Sequence, residues 1–156
     1  MLKSKLDQLK AKDGFTIIEV IIVLVIAAII MLAVFLVVPQ LQRTQRNTRR
    51  QNDARRVLAA AEQVAANAGG VYPTADAAGK TSIENITGTI NSPAGSAYTW
   101  AYEQATTPDG TTIYYTSKTS TCSASNSPTA GASTKQVVIV AVEDSTGTNK
   151  NWCVGN

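Results

Sequence analysis

The sequence contains no histidine. That absence excludes His-based triads, His general bases and His metal ligands. Cysteine is scarce, with Cys122 and Cys153 the only pair, and two thiols without histidine cannot close an ordinary zinc site. No glycine-rich phosphate loop is present, and Gly69-Gly70 reads as a helix stop. The one adjacent acidic pair, Glu143-Asp144, fits the close of a strand better than a calcium site. We therefore expect no enzyme activity, no bound metal and no cofactor. The longest absence is one of polarity: Val20 to Val38 contains no polar residue.

That apolar run defines the chain. Phe15 to Val38 is broken only by Thr16 and Glu19. As a helix rising about 1.5 Å per residue it reaches roughly 36 Å, enough to cross a hydrocarbon core of about 30 Å. A helix apolar all round needs either a large protein around it or a membrane, and 156 residues leave room for one modest domain only. Lys3, Lys5, Lys10 and Lys12 precede the run, and a basic flank of this kind tends to stay cytoplasmic. Arg43, Arg46, Arg49, Arg50, Arg55 and Arg56 form a second basic cluster beyond it, so charge bias alone does not orient the segment. No small-residue cut site follows, as it would after an ordinary secretory signal; the chain continues Pro39-Gln40-Leu41-Gln42-Arg43. The segment reads as retained.

The junction Lys12-Asp13-Gly14-Phe15-Thr16-Ile17-Ile18-Glu19 resembles the processing site of type IV prepilins. The resemblance implies a leader ending at Gly14, cleavage by a prepilin peptidase, and methylation of the new amino terminus at Phe15. It makes Glu19, with Thr16 beside it, the candidate assembly residue. A carboxylate in an apolar helix is costly unless it is paired or near the interface. The Phe15 amino group of a neighbouring subunit is the natural partner in a staggered stack. Pilins of this kind often carry a proline earlier in the helix, whereas here the first is Pro39.

Beyond the apolar run, residues 40–68 lack Gly and Pro and are rich in Ala, Gln, Arg and Leu, all tolerant of helix. Ala54, Val57, Ala61, Val64, Ala65 and Ala68 recur at helical spacing. Residues 42–53 read as polar on every side, facing solvent or neighbouring subunits. An arginine cluster can bind nucleic acid or anionic lipid; we assign this one to a solvated face or to subunit carboxylates, so that a nucleic-acid partner is open to it but not predicted.

After Gly70 the composition turns to Thr, Ser, Ala, Gly and Asn. Residues 71–96 read as a loop-rich connection with a short helix near 82–86. Tyr98, Trp100 and Tyr102 alternate with Thr99, Ala101 and Glu103 as in a strand. Pro108-Asp109-Gly110 is a turn before a strand over 111–117. Val137 to Val142 is continuously apolar, as in a strand covered on both faces, and Asn151 to Val154 is a candidate last strand. Asn85-Ile86-Thr87 fits a glycosylation triplet, which we take as unmodified.

The expected fold is α+β: a long N-terminal helix, apolar and then amphipathic, packed on a small antiparallel sheet. Its divisions are a leader over 1–14, a membrane or filament-core helix over 15–39, a helical continuation over 40–68 and a head over 69–156. The resemblance implies a Cys122–Cys153 disulfide closing a C-terminal loop, and an extracytoplasmic location permits one. It also implies a homopolymer of pilin subunits, an assembly platform with its ATPase, and a membrane-held precursor that moves into a surface filament for adhesion, motility or DNA uptake. A type II secretion pseudopilin and a membrane-anchored binding domain that never polymerises are the alternatives.

Overall fold

A computed structural model of the chain describes residues 14–102, 109–116, 120–122, 128–130 and 137–155. The lysine-bearing segment 1–13, Glu103, Pro108, Ser117 and most of the loop between the cysteines lie outside these residues. Contacts divide the chain into two compact units, Met1–Pro39 and Gln40–Asn156. The helix expected over 15–68 is α1, Ile17–Asn67, and residues of both units belong to it. Pro39 lies inside α1 and has no N–H to give the Phe35 carbonyl. The stop falls where Gly69 and Gly70 take positive φ, 67° and 92°. The Gly70 N–H then returns to the Ala65 carbonyl at 2.7 Å, satisfying a carbonyl the helix end would otherwise orphan.

In the first unit the large apolar residues of α1 are bare, from Val38 at 40% exposure to Ile17 at 80%. The segment is long and apolar enough to cross a membrane, and none of it is buried within the chain.

The second unit holds the core. A stripe of Ala54, Val57, Leu58, Ala61 and Ala65 is buried along α1. Leu58 and Ala60 join the expected face, while Ala68 is exposed. Helix α2, Ala77–Thr87, is longer than the short helix expected near 82–86. Its start was hidden in a Thr/Ala/Asp-rich stretch, where Asp76 acts as N-cap, accepting from the Gly79 N–H at 2.9 Å. Gly79 itself is forced: a Cβ there would lie 1.8 Å from the Thr74 carbonyl oxygen.

Four strands form the main sheet: β1 (Thr99–Ala101), β2 (Thr112–Thr116), β5 (Val137–Glu143) and β6 (Asn149–Gly155), in the order β1-β2-β5-β6. Strands β2, β5 and β6 are antiparallel, with Tyr114 opposite Ile139 and Ile139 opposite Cys153. The edge strand β1 instead pairs parallel to β2, Trp100 beside Ile113. The sheet is therefore mixed, not antiparallel throughout. A parallel pair cannot be joined by the tight hairpin that an antiparallel pair allows. A separate ribbon pairs β3 (Ser120–Cys122) with β4 (Pro128–Ala130).

The pleat sends alternate residues to two cores. Ile113, Tyr115, Val138 and Val140 are fully buried and pack in one cluster with Val57, Ala61 and Ile83. Each such valine or isoleucine contributes roughly 1.5–3 kcal/mol on burial. On the opposite face Ile139 and Cys153 are buried with Tyr114 and Cys122. Strand β5 is thus covered on both faces, as its unbroken apolar run required.

Residues 42–53 are not polar and exposed throughout. Arg50 and Asp53 are buried, at 7% and 5% exposure. The reason is a polar clamp between α1 and the end of β5. Arg46 gives Nε and Nη2 to the two oxygens of Glu143 at 3.2 and 2.8 Å, and Arg50 Nη1 lies 3.3 Å from Glu143 Oε1. Asn47 pairs with the Glu143 backbone in both directions, at 2.7 and 2.8 Å. Arg43 donates to the Ser145 carbonyl at 2.9 Å. Part of the arginine cluster therefore pairs within its own chain, not with other subunits. Gly110 belongs to the same device, since a Cβ there would meet Arg50 Nη2 at 2.2 Å.

Candidate processing and assembly site

Gly14 precedes the helix, exposed and outside regular structure. A Cβ on Gly14 would meet nothing within 4 Å, so the chain's own packing does not demand glycine there. Phe15 is the most exposed large apolar residue among those described. Thr16 and Glu19 then start the helix by a reciprocal pair. The Thr16 N–H donates to Glu19 Oε2 at 2.9 Å, and the Thr16 hydroxyl donates to the same oxygen at 2.7 Å. The Glu19 N–H in turn approaches Thr16 Oγ1 at 3.3 Å. This is a capping box, each side chain satisfying an amide that the helix start leaves free. Its T-x-x-E spacing is legible in the sequence. The expected need of Glu19 for a partner is thus met in part within its own first turn. Phe15, Glu19, Val20, Val23 and Leu24 line one shallow, largely apolar groove beside this carboxylate.

The other candidate site residues lie in the head. Cys122 and Cys153 form a disulfide with Cα atoms 5.7 Å apart. The bridge joins β3 to β6 on the sheet face that carries Ile139, the face opposite the Val57 cluster.

Electrostatics in the head follow the clamp. The hydrogen bond from Arg46 holds the Glu143 carboxyl below the usual glutamate range, with both nearby arginines adding to it. Asp53 goes the other way: burial raises it, against the Tyr98 hydrogen bond and the charges of Arg49 and Arg56. The Tyr98 hydroxyl donates to Asp53 Oδ2 at 3.2 Å, and burial pushes the Tyr98 phenol well up. Asp144 is held far down, chiefly by the Thr146 hydroxyl, within the turn joining β5 and β6. Among the described residues no group of three or more His, Cys, Asp or Glu is placed to hold a metal ion. Asn85 is exposed on α2, and the Thr87 hydroxyl of that triplet is engaged with the Ile83 and Gly88 carbonyls.

Residues 9–35 match the family model described as the prokaryotic N-terminal methylation motif. This match spans the Gly14-Phe15 junction, the capping box and most of the apolar run. It is the signature of type IV pilins and pseudopilins. Together with the membrane-length helix, this match makes the N-terminal part of the chain similar to that of a type IV pilin-like or pseudopilin precursor. No curated protein and no solved structure matches the chain.

Proposed function

We propose that this protein is the structural subunit of a type IV pilus. A prepilin peptidase cuts between Gly14 and Phe15 and methylates Phe15. The membrane-held subunit then passes, through an assembly platform and its ATPase, into a surface filament. The observation that carries this reading is the methylation-motif match at residues 9–35, joined to a helix whose first, apolar part is exposed among the described residues. Lipid covers them before assembly and the same helix of other subunits covers them afterwards. The head forms the outer surface. The Cys122–Cys153 bridge favours the pilus subunit over the secretion pseudopilin, since the resemblance implies a disulfide in the pilin head where a pseudopilin head often holds calcium.

Glu19 is the assigned assembly residue. Apolar helices sliding past one another have little to fix their stagger, and a carboxylate meeting the Phe15 amino group of an adjacent subunit supplies it. Glu19→Gln keeps size and hydrogen bonding and removes charge; Glu19→Val removes both. Both variants should reach wild-type levels in the membrane and be cleaved normally, with few or no filaments. The measurement is sheared-filament yield against cleaved subunit in the membrane fraction. Wild-type yield from both variants overturns the assignment and favours an anchored domain that does not polymerise.

A further inference from the structure

The capping box leaves the Glu19 carboxylate half used. Both donors from Thr16, its N–H and its hydroxyl, converge on Oε2. Oε1 has no hydrogen-bond partner among the described residues, and it belongs to the side chain that borders the groove of Phe15, Val20, Val23 and Leu24. We infer that Thr16 is a positioning residue for filament growth: it pins one oxygen of Glu19 and so presents the other to the ammonium group of an incoming subunit. The inference rests on the assembly role proposed for Glu19 and adds to it the group that aims it.

Three physical arguments support this. First, a glutamate has several rotatable bonds, and freezing them at the moment of contact costs affinity; a side chain already held in place avoids much of that cost. Second, the two Thr16 donors and the positive end of the helix stabilise the carboxylate while the subunit waits in the membrane. The charge therefore does not need a neighbour in order to insert. Third, the lock survives processing. Cleavage breaks the Gly14–Phe15 peptide bond and leaves the Phe15–Thr16 bond intact, so the Thr16 N–H is the same donor before and after. A singly methylated Phe15 amine is still a cation with two N–H groups to give.

The test compares Thr16→Val, which keeps the branched shape and loses the hydroxyl, with Thr16→Ser, which keeps the hydroxyl. Thr16→Ala is a second hydroxyl-free variant in case valine perturbs the first turn. Sheared-filament yield is normalised to cleaved subunit in the membrane, so that any effect on the peptidase is divided out. Both hydroxyl-free variants should lose about fivefold or more in yield, and Thr16→Ser should recover most of it. In the mature wild-type subunit in micelles, the Thr16 amide proton should resonate downfield and move upfield in Glu19→Gln. Wild-type yield from Thr16→Val and Thr16→Ala, with Glu19→Gln defective, overturns this inference and leaves the assembly role of Glu19 standing. Equal loss in Thr16→Ser, or an amide unmoved by Glu19→Gln, also overturns it. Wild-type yield from Glu19→Gln itself removes the parent reading.

Discussion

Leu24 and Leu58 lie on one helix, yet Leu24 is 63% exposed and Leu58 only 9%. Around Leu24 every direction is apolar, so no single partner surface could satisfy the segment; it needs a solvent of its own kind, lipid or a bundle of like helices. Around Leu58 the apolar residues narrow to a stripe of alanine, valine and leucine that one sheet face can cover. Both halves are helical, and what separates them is how much of the circumference is apolar. The first half is built for an environment outside the chain, the second for an environment the chain supplies.

Substitutions on either side of Pro39 sharpen that contrast, read as unfolding of the head in the full chain in detergent. The largest effect belongs to Tyr115→Ala. Tyr115 is fully buried and its hydroxyl donates to the Pro73 carbonyl at 3.2 Å; truncation should cost about 3–5 kcal/mol, measured by denaturant titration. Removing the Cys122–Cys153 bridge, whose cysteines are 31 residues apart, should cost about 2–4 kcal/mol. It should also raise proteolysis at the Ile139 face while leaving membrane insertion unchanged. Glu143→Gln should cost about 1–3 kcal/mol by leaving Arg50 buried without its counter-charge.

The same clamp sets a pH dependence. Glu143 is held below its unfolded value, so its contribution is present at neutral pH and is lost as pH falls below about 4.3 and through the folded value. Asp53 is raised by burial and works in the opposite sense, favouring the folded state as it takes up a proton. Acid titration of stability should therefore be flatter in Glu143→Gln and steeper in Asp53→Asn. The smallest effect belongs to the first half: Leu32→Ala, at a residue 68% exposed, should leave the head's unfolding midpoint within about 0.5 kcal/mol of wild type. A large shift there would break the comparison.

What the sequence revealed follows the range of the interactions involved. The helix stop at Gly69-Gly70 and the double-sided strand at Val137–Val142 are local patterns, and the fold places both where periodicity and composition put them. The capping box at Thr16 and Glu19 is equally local and was visible as a spacing. The burial of Arg50 was not, because its partners, the Ala141 carbonyl and Glu143, lie more than ninety positions away. A window of helix shows only four arginines in a polar stretch and reads solvent. The parallel edge strand escaped for a related reason: Tyr98, Trp100 and Tyr102 alternate as any strand does, and alternation does not state direction. The extent of α2 depended on one cap, Asp76, in a stretch whose composition reads as loop.

The central claim is that the subunit enters the filament with its leader removed at Gly14 and its apolar half of α1 retained. Intact-mass analysis of filaments sheared from the cell surface tests this most directly. The account predicts a subunit beginning at Phe15, heavier by the CH2 that one N-methylation adds and lighter by the two hydrogen atoms lost in the Cys122–Cys153 bridge. A filament subunit that begins at Met1, or one that begins beyond Val38 and so lacks the apolar half, would contradict it.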